Sequence, residues 1–447
     1  MPNNRKAAKG DIRAIGIDFG TTNTAASFLD GQGVVTLIDL EKKREGFDSA
    51  LLKTLLYFPS RKESFFGQDA VDQYFDRGME GRFLQSVKRL LPNPDFQGTS
   101  IHNQYQSLED IIARFLSEVR ERIRRYLVTE QGCSETVLDE IPIIMGRPAR
   151  YSLDPGREGL AVVRFRKACE LAGFKNLRFL EEPVAAAHQY QQDLKLTEKV
   201  IIADLGGGTS DFTLMEFGQA KPKVLSVHGI PAAGDSLDSL IMTKRLVQFF
   251  GSEVKYQRPF SSNILTMPTS FVKLLSKWHH HAFLKERATW EFLKNLRKEI
   301  VVGNDHVFLE NLMTLVEDNL GYSLHQKVEA HKCSLSVVEA DTAEFREKKF
   351  DFEFRSHPID IQFATRPEQF SEWTQETIDA IARTALDTVR YANVLPEKVD
   401  AIYFTGGTSK VSQIRRKIRE AFKNARIIDK NTFTSVASGL AASQRGC

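Results

Sequence analysis

Apolar and polar positions along the chain follow two periods, one typical of strands and one typical of helices. Short β-branched runs at 15–17 and 200–202 predict buried strands. Each run is followed by an acid, by glycine and hydroxyl residues, and then by a second strand, so each predicts a hairpin. Apolar residues at helical spacing from 108 to 127 predict a long amphipathic helix with Arg and Glu on its outer face.

Predicted strands and helices alternate through the rest of the chain. In the first half these are strands at 141–145 and 177–180 and helices at about 159–172 and 183–190. In the second half they are a hairpin at 199–217, a strand near 224, helices from about 237 and at about 371–391, and a strand at 401–404. Because both halves repeat the order of hairpin, helix and strand, the sequence predicts α/β layers built by domain duplication.

Three segments depart from this order. Residues 41–109 lose regular alternation and gain Pro, Gly, Asn and charge, which predicts an inserted subdomain. Residues 241–364 are charged and helix-rich, which predicts a second insertion. Residues 1–12 are polar and are expected to form a disordered tail.

The composition is that of an ordinary soluble globular protein. Of its 447 residues, 42% are hydrophobic and 27% are charged. Lys and Arg total 61 against 58 for Asp and Glu, and the resulting net charge of +3 argues against a nucleic-acid binder. No segment approaches the roughly 18 apolar residues of a membrane span, and the N-terminus lacks the apolar core of a secretory signal. We therefore expect a cytoplasmic protein without membrane association.

Cysteines and histidines give little indication of a bound metal. Cys133, Cys169, Cys333 and Cys447 are far apart in sequence, so we expect no structural zinc. The histidines at 279–281 lie in a stretch rich in Lys, Trp and Phe, without nearby Cys or Asp. A solvated helix face is the favoured interpretation of these histidines, and a metal site is the alternative.

Glycine turns at the strand ends are the main candidates for chemistry. A glycine can serve only the backbone of a tight turn, or it can let phosphate oxygens approach successive N–H groups. Three such turns, two of them with an acid before and hydroxyls after, favour phosphate binding. The candidate phosphate-binding residues are Gly20, Thr21, Thr22, Asn23, Gly206, Gly207, Gly208, Thr209, Gly406, Gly407 and Thr408.

Acids at the same strand ends predict a metal. Asp18, Asp204 and, as a further candidate, Asp211 would reach Mg²⁺ through its waters, because magnesium usually keeps several waters and takes one or two carboxylates. The chain contains no G-x-x-x-x-G-K-[ST] and no G-x-G-x-x-G sequence. This excludes a P-loop enzyme and removes the dinucleotide fingerprint.

Five segments together carry a family resemblance. They are Gly16-Ile17-Asp18-Phe19-Gly20-Thr21-Thr22-Asn23-Thr24, Val87-Lys88-Arg89-Leu90-Leu91, Glu181-Glu182-Pro183-Val184-Ala185-Ala186-Ala187, Asp204-Leu205-Gly206-Gly207-Gly208-Thr209-Ser210-Asp211-Phe212 and Phe404-Thr405-Gly406-Gly407-Thr408-Ser409. In sequence and in order they resemble the seventy-kilodalton heat-shock chaperones, the DnaK family. The resemblance runs from about residue 13 to the end, and the short length is similar to that of the YegD-like members.

The resemblance implies a fold and a domain organisation. The fold would be the actin-like ATPase fold, an α/β fold of two lobes, each with a duplicated ribonuclease-H-like core and an inserted subdomain. Lobe I would be 13–197 with its insertion at about 41–109, and lobe II would be 198–447 with its insertion at about 241–364. A terminal helix at 433–447 would return to lobe I.

The resemblance also implies ATP or ADP as cofactor, with Mg²⁺, and roles for single residues. Asp18 and Asp204 would face the magnesium. The phosphates would be faced by Thr21, Thr22 and Thr209. Lys88 would orient the γ-phosphate and the attacking water, with Glu182 nearby in the water and metal network. Lys88, Glu182, Asp204 and Thr209 are thus the predicted catalytic residues. A solvated surface lysine and a helix-dipole partner are the structural alternatives for Lys88 and Glu182.

A second set of residues resembles the family's adenosine clamp. Glu329, Lys332 and Ser336 are spaced i, i+3 and i+7, so one helical face would present all three. Gly234 completes the predicted nucleotide-binding residues. A charged solvent face would show the same spacing.

Three positions depart from the family pattern. Cys333 and Lys410 stand where the family usually has arginines, and Phe433 stands where an acid is expected. From these changes we infer weaker or faster-exchanging nucleotide binding.

The family's chaperones continue into a β-sandwich that binds peptides, and no alternating strand run remains here to build one. We therefore expect no peptide-binding domain, and we expect an adenine nucleotide and a co-chaperone or other protein as partners. Aromatic residues of the second insertion are assigned to core packing, with a partner surface as the alternative. They are Phe271, Trp278, Phe283, Trp290 and Phe292.

The leading prediction of function is a slow, chaperone-related ATPase whose cleft opens and closes with nucleotide state. One alternative is a small-molecule kinase of the same fold, against which the match around Glu182 argues. The other is a non-hydrolysing, ATP-gated scaffold or filament subunit. The presence of Lys88, Glu182, Asp204 and Thr209 argues for retained hydrolysis.

Overall fold

The structure is a computed structural model in which the described residues fall into two compact units. The first unit comprises Met1–Ile230, Thr384–Ser409 and Ala421–Cys447, and the second comprises Pro231–Arg383 and Lys410–Glu420. The described residues are 11–44, 48–78, 80–152, 154–190, 197–218, 222–277, 284, 287–303, 305–336, 347–354, 359–428 and 434–445. Predictions for residues 1–10, Trp278, 279–281, Phe283, Phe433 and Cys447 lie outside them.

The strands are numbered in chain order. They are β1 (Ile12–Phe19), β2 (Asn23–Asp30), β3 (Val35–Leu37), β4 (Leu51–Lys53), β5 (Leu55–Phe58), β6 (Phe65–Phe66), β7 (Arg82–Gln85), β8 (Gly98–Ile101), β9 (Gln104–Ser107), β10 (Ile143–Arg147), β11 (Leu177–Glu181), β12 (Glu198–Leu205), β13 (Ser210–Phe217), β14 (Lys223–Ile230), β15 (Lys255–Gln257), β16 (Ile264–Thr266), β17 (Lys348–Phe354), β18 (Ile359–Thr365), β19 (Ala401–Thr405) and β20 (Arg426–Ile428).

The α-helices are numbered in the same way. They are α1 (Gly67–Asp76), α2 (Leu108–Gln131), α3 (Val137–Glu140), α4 (Pro155–Leu171), α5 (Glu182–Tyr190), α6 (Gly234–Ile241), α7 (Thr269–Ser276), α8 (Arg287–Glu299), α9 (Asp305–Glu317), α10 (Gly321–Ser336), α11 (Pro367–Tyr391), α12 (Ser412–Ala421) and α13 (Ser435–Ala442). Short 3₁₀ turns lie at Val87–Leu90, Val247–Phe250, Pro396–Lys398 and Gly407–Lys410, and a π-helical turn lies at Met242–Leu246.

Two sheets of the first unit share one topology. Five strands of one run in the order β3-β2-β1-β10-β11, with β4 as an extra partner of β2, and the other runs β14-β13-β12-β19-β20. Each contains a central hairpin, β1–β2 or β12–β13, and each has two parallel strands added beside its first strand. Each therefore brings the carboxyl ends of the parallel strands to the turn of its hairpin, which is where the predicted phosphate-binding residues lie.

Helix caps explain where the predicted boundaries shift. The helix predicted at 159–172 begins four residues earlier, because the Asp154 carboxylate accepts the Arg157 N–H at 2.9 Å and Pro155 occupies the first turn. It stops before Gly173, whose φ of +85° favours glycine. Likewise α2 continues past 127 to Gln131, where Gly132 has a φ of +69°.

Aromatic residues from three elements form the core beside the first hairpin. Phe19 at the end of β1 stacks on Phe165 of α4 with ring centroids 5.6 Å apart, and it also contacts Phe115 of α2 at 5.8 Å. All three are 0–1% exposed. The turn after β1 therefore rests on a rigid apolar base.

The second unit is built from short hairpins and helices. The hairpins β15–β16 and β17–β18 accompany α6 to α10, so the second insertion contains strands as well as the expected helices. Phe271 and Phe292 pack against each other with centroids 4.9 Å apart. This contact agrees with the core-packing interpretation of these two aromatics. None of the helices among the described residues combines the length and the apolar character that a membrane crossing requires.

Glycine lets α13 pack closely against α5 within the first unit. A Cβ at Gly439 would lie 1.8 Å from the backbone oxygen of Ala185. A Cβ at Gly16 of β1 would likewise lie 2.5 Å from the oxygen of Ala437. The C-terminal helix thus contacts both α5 and the first sheet through backbone atoms.

We expect Gly439→Ala to lower the free energy of unfolding by about 1–3 kcal/mol, because backbone must move to admit the methyl group. Urea unfolding monitored by circular dichroism measures the change. Gly159→Ala in α4 is the matched control, since a Cβ there meets no atom within 4 Å. It should stabilise the protein by about 0.5–1 kcal/mol through helix propensity. Equal effects of the two changes would contradict the close packing.

Candidate functional site

The second and third glycine turns form one backbone framework. Because β12 and β19 are parallel neighbours, Asp204 lies opposite Thr405 at the end of the ladder. The Gly206 N–H donates to the Thr209 oxygen at 3.0 Å, and the Thr408 hydroxyl donates to the Gly206 oxygen at 2.6 Å. Two turns that are about 200 residues apart in sequence are therefore held together by a direct hydrogen bond.

Two glycines in this framework are closely approached by neighbours, and the backbone conformation requires glycine at Gly406. Gly406 has a φ of +79°, and a Cβ there would lie 2.3 Å from the Leu205 oxygen. A Cβ at Gly208 would lie 2.7 Å from the guanidinium carbon of Arg89. The backbone of the turns is thus closely approached by neighbouring groups, and it has the small-residue surface that an anion-binding nest requires.

The first glycine turn is held by a threonine from another strand junction. Thr54 donates its hydroxyl to the Gly20 oxygen at 2.9 Å and its N–H to the Thr22 oxygen at 2.8 Å. Thr54 is fully buried, whereas Thr22 is exposed. The backbone that carries the hydroxyls of Thr21 and Thr22 is therefore held in place by Thr54.

Lys88 and Glu182 form a buried ion pair in the first unit. The Lys88 Nζ and Glu182 Oε1 are 2.9 Å apart, and the side chains are 8% and 11% exposed. Burial lowers the pKa of Lys88, but Glu182 and Asp18 outweigh it and raise this pKa above its usual range. The ammonium also lies 5.8 Å from the centroid of the Phe19 ring. The lysine is therefore a permanently charged cation at a defined position.

Three aspartates surround this pair and carry raised pKa values. Burial, then repulsion by Glu182, raises the pKa of Asp18 to about 7. Burial raises the pKa of Asp211 to about 6, although the Thr209 hydroxyl donates to its Oδ2 at 2.8 Å. Burial and the neighbouring acids raise the pKa of Asp204 well above its usual range. The attraction of Lys88 does not balance the negative charge here.

This excess of carboxylate fits a hard cation. Asp18, Glu182, Asp204 and Asp211, hereafter the acid cluster, offer the oxygen ligands that Mg²⁺ prefers. The only carboxylate trio among the described residues with oxygens within 4.8 Å of one another is elsewhere, at the exposed Asp351, Glu353 and Asp360. Among the described residues the acid cluster forms no such closely spaced trio, and binding of the metal through its waters stays a prediction.

The predicted residues divide between the two units. Those for phosphate, metal and catalysis are all in the first: Asp18, Gly20, Thr21, Thr22, Asn23, Lys88, Glu182, Asp204, Gly206, Gly207, Gly208, Thr209, Asp211, Gly406, Gly407 and Thr408. Gly234, Glu329, Lys332 and Ser336 are in the second. The roles of these residues stay predictions.

The three side chains predicted to form the adenosine clamp, Glu329, Lys332 and Ser336, have different environments. Lys332 donates to Asp238 Oδ2 at 2.8 Å in a buried pair, and the Ser336 hydroxyl donates to the Lys332 backbone oxygen at 2.7 Å. Glu329 and Cys333 are exposed on the same helix, α10. The spacing i, i+3, i+7 thus contains one solvent-facing and two buried members.

The sequence analysis assigned no role to several residues that lie beside the site. Thr54 and Phe19 carry no signal of their own, because a buried threonine and a buried phenylalanine are common in cores. Arg89 follows Lys88 directly, and only the structure brings its guanidinium against Gly208. Tyr151, whose hydroxyl is buried without a hydrogen-bond partner, has its pKa raised by burial and by Glu182.

Comparison with known proteins gives two matches. The family model for Hsp70 protein matches residues 104–262. The chaperone protein DnaK of Thermosipho melanesiensis is 25% identical over 432 residues, which is 96% of this chain and 58% of that protein. The chain therefore spans a little more than half the length of this relative. With the two sheets of common topology, these matches confirm the predicted actin-like ATPase fold.

The raised pKa values of the aspartates predict a dependence of stability on pH. In metal-free protein at pH 5 the folded state keeps a proton on Asp18, whose pKa is about 7, while the unfolded state, at the ordinary 3.8, releases it. This contribution favours folding at low pH and is lost as pH rises through 7. We expect Asp18→Asn to raise the free energy of unfolding by about 1–3 kcal/mol at pH 8 and by roughly a third of that amount at pH 5.

Urea unfolding at the two pH values in EDTA measures this effect. Asp76→Asn, at an exposed acid of the same unit, is the control and should change stability little at either pH. An equal gain for Asp18→Asn at both pH values would show that ionisation of the buried Asp18 carboxylate is not its cause.

Proposed function

We propose that the chain is a member of the Hsp70 family, to which it is similar, and that it binds ATP with Mg²⁺ and hydrolyses it slowly to ADP and phosphate. One observation supports this proposal above the others. It is the buried Lys88–Glu182 pair, 2.9 Å long, among aspartates at the ends of two hairpins with glycine turns. Phosphoryl transfer needs positioned cations and donors rather than covalent chemistry by the protein.

Each group in the first unit has a task in the proposed reaction. Backbone N–H groups of the glycine turns and the hydroxyls of Thr21, Thr22 and Thr209 bind phosphate oxygens. Lys88 neutralises developing charge on the transferred phosphoryl group and holds the attacking water. Glu182 fixes the position of the ammonium and accepts a proton of that water. Bound Mg²⁺, held through waters by Asp18 and Asp204 with Asp211 beside them, would neutralise charge on the phosphates.

The wider properties of the family are part of the same proposal. By resemblance, 13–197 and 198–447 act as two lobes whose cleft opens and closes with nucleotide state. A co-chaperone or other protein partner and a cytoplasmic location follow from the same premise.

Lys88→Gln tests the proposed chemistry. Glutamine keeps a donor for Glu182 but removes the charge, so we expect single-turnover ATP hydrolysis to slow by at least about 100-fold. ATP affinity, measured by isothermal titration, should change much less. Lys199→Gln is the matched control, because Lys199 pairs with Glu216 at 3.4 Å at the far end of β12. It should leave hydrolysis unchanged.

Other outcomes of the same experiment separate the alternatives. Turnover of the wild type that requires a sugar or carboxylate acceptor would make the protein a small-molecule kinase. Binding of ATP without any hydrolysis by the wild type would leave an ATP-gated scaffold. Hydrolysis that survives Lys88→Gln would remove the proposed role of the lysine.

Cys333→Arg tests the inference that nucleotide binding is weakened. An arginine at this exposed position of α10 can stack on the adenine, so we expect ATP affinity to rise by about fivefold. Ala330→Arg adds the same charge to the same helix and is the control. Isothermal titration of both variants with Mg·ATP measures the difference. An equal gain in both variants would assign the effect to net charge instead.

A further inference from the structure

Arg164 of α4 is a buried cation that binds backbone of the segment following Lys88. Its side chain is 3% exposed. One terminal nitrogen donates to the Leu91 oxygen at 3.2 Å and the Asn93 oxygen at 2.8 Å, and the other donates to the Gln97 side-chain oxygen at 3.1 Å. The carboxylate of Glu109 is 3.7 Å from Nε. Burial of an arginine costs free energy unless its guanidinium N–H groups are hydrogen-bonded. Here most of the acceptors come from one short segment, 91–97.

That segment begins at the proposed catalytic lysine. Val87–Leu90 forms a single 3₁₀ turn, the Leu91 N–H donates to the Lys88 oxygen at 3.2 Å, and the Asn93 N–H donates to the Leu90 oxygen at 3.0 Å. The oxygens bound by Arg164 thus belong to residues that are themselves bonded back to the turn. Two hydrogen bonds in series, from the guanidinium to the Leu91 oxygen and from the Leu91 N–H to the Lys88 oxygen, thus connect Arg164 to Lys88.

The turn needs an external support. Ser86, directly before it, has a φ of +55°, a conformation that costs energy for a residue other than glycine. A 3₁₀ turn of four residues has few internal hydrogen bonds. Its conformation therefore depends on neighbours, of which α4 provides two.

Phe165, next to Arg164, is the second support. Its ring stacks on Phe19 with centroids 5.6 Å apart, and Phe19 lies below the Lys88 ammonium at 5.8 Å. Arg164 therefore holds the backbone that carries the lysine, while Phe165 supports the ring that the ammonium contacts.

We propose that Arg164 is a positioning residue for Lys88, acting through the carbonyls of Leu91 and Asn93 to fix the lysine for the proposed ATP hydrolysis. The role rests on the proposed function, because it assigns Lys88 as the group to be positioned. Arg164 does not act on the phosphates in this proposal.

The test compares Arg164→Lys with Arg122→Lys. A lysine keeps the charge but cannot span the acceptors of the guanidinium fork. Arg122 is the matched control, since its buried guanidinium donates to the Leu40 oxygen at 2.8 Å and pairs with Glu41 and Glu118, away from the lysine turn. The first measurement is the rate at which an amine-reactive acetylating reagent modifies Lys88, followed by peptide mass spectrometry.

We expect Lys88 to be acetylated about tenfold faster in Arg164→Lys than in Arg122→Lys, because charge-assisted hydrogen bonds to the segment are lost. Single-turnover ATP hydrolysis should slow by a similar factor in Arg164→Lys, while ATP affinity stays within about twofold of the wild type. Equal acetylation of Lys88 in the two variants would overturn the proposal. So would a loss of hydrolysis that follows a loss of ATP affinity.

The experiment still tests the proposal in two other cases. If Arg164→Lys does not fold, Arg164→Gln removes the buried charge and the guanidinium bonds to Leu91 and Asn93 and should raise acetylation of Lys88 by about tenfold; no rise would overturn the proposal. If the wild type does not hydrolyse ATP, the proposed function fails, yet acetylation still decides whether Arg164 fixes the lysine.

Discussion

The ion pair between Lys88 and Glu182 is the interaction on which the candidate site depends. The acid cluster places more negative charge in a partly desolvated space than one ammonium balances, and the aspartates respond by holding protons near neutral pH. Without Lys88 the repulsion would grow, and without Glu182 the lysine would lose its fixed position. A buried pair of this kind contributes little net stability. The pair leaves an excess of negative charge in the acid cluster, which a bound cation would neutralise.

The fold delivers these groups by repeating one arrangement. In each of the two sheets a strand runs to an aspartate and turns through glycine, so Asp18 and Asp204 occupy equivalent ends of β1 and β12. Glycine also allows the C-terminal helix α13 to contact α5, the helix that begins at Glu182. The acid that binds Lys88 is therefore fixed by the same packing that joins the C-terminus to the first sheet. The same contacts therefore contribute both to the stability of the first unit and to the position of Glu182.

The sequence predicted the parts of the site that involve local chemistry. Strand ends, glycine turns and acids are visible as patterns, because β-branched runs and positive-φ turns depend on neighbouring residues. The ion pair between Lys88 and Glu182 joins residues 94 positions apart, and only the family resemblance suggested that they meet. Thr54, Arg89 and Arg164 were missed for the same reason: each acts through tertiary contacts that no local pattern records. The predicted start of α4 also lay four residues after the observed one, because the capping residue Asp154 precedes the apolar residues on which the prediction was based.

A second buried lysine shows why charge balance, rather than burial, distinguishes the two sites. Lys332 and Asp238 of the second unit are 2.8 Å apart and as buried as Lys88 and Glu182. Burial raises the pKa of Asp238 to about 7 against the attraction of Lys332. There Asp238 is the main partner of the lysine, and Glu329 and Asp235 contribute less to the raised pKa of Asp238. At Lys88 several acids share one ammonium, and the excess charge makes binding of a cation favourable. The same residue types thus give a pair with one dominant acid in one unit and a cluster of acids around one lysine in the other.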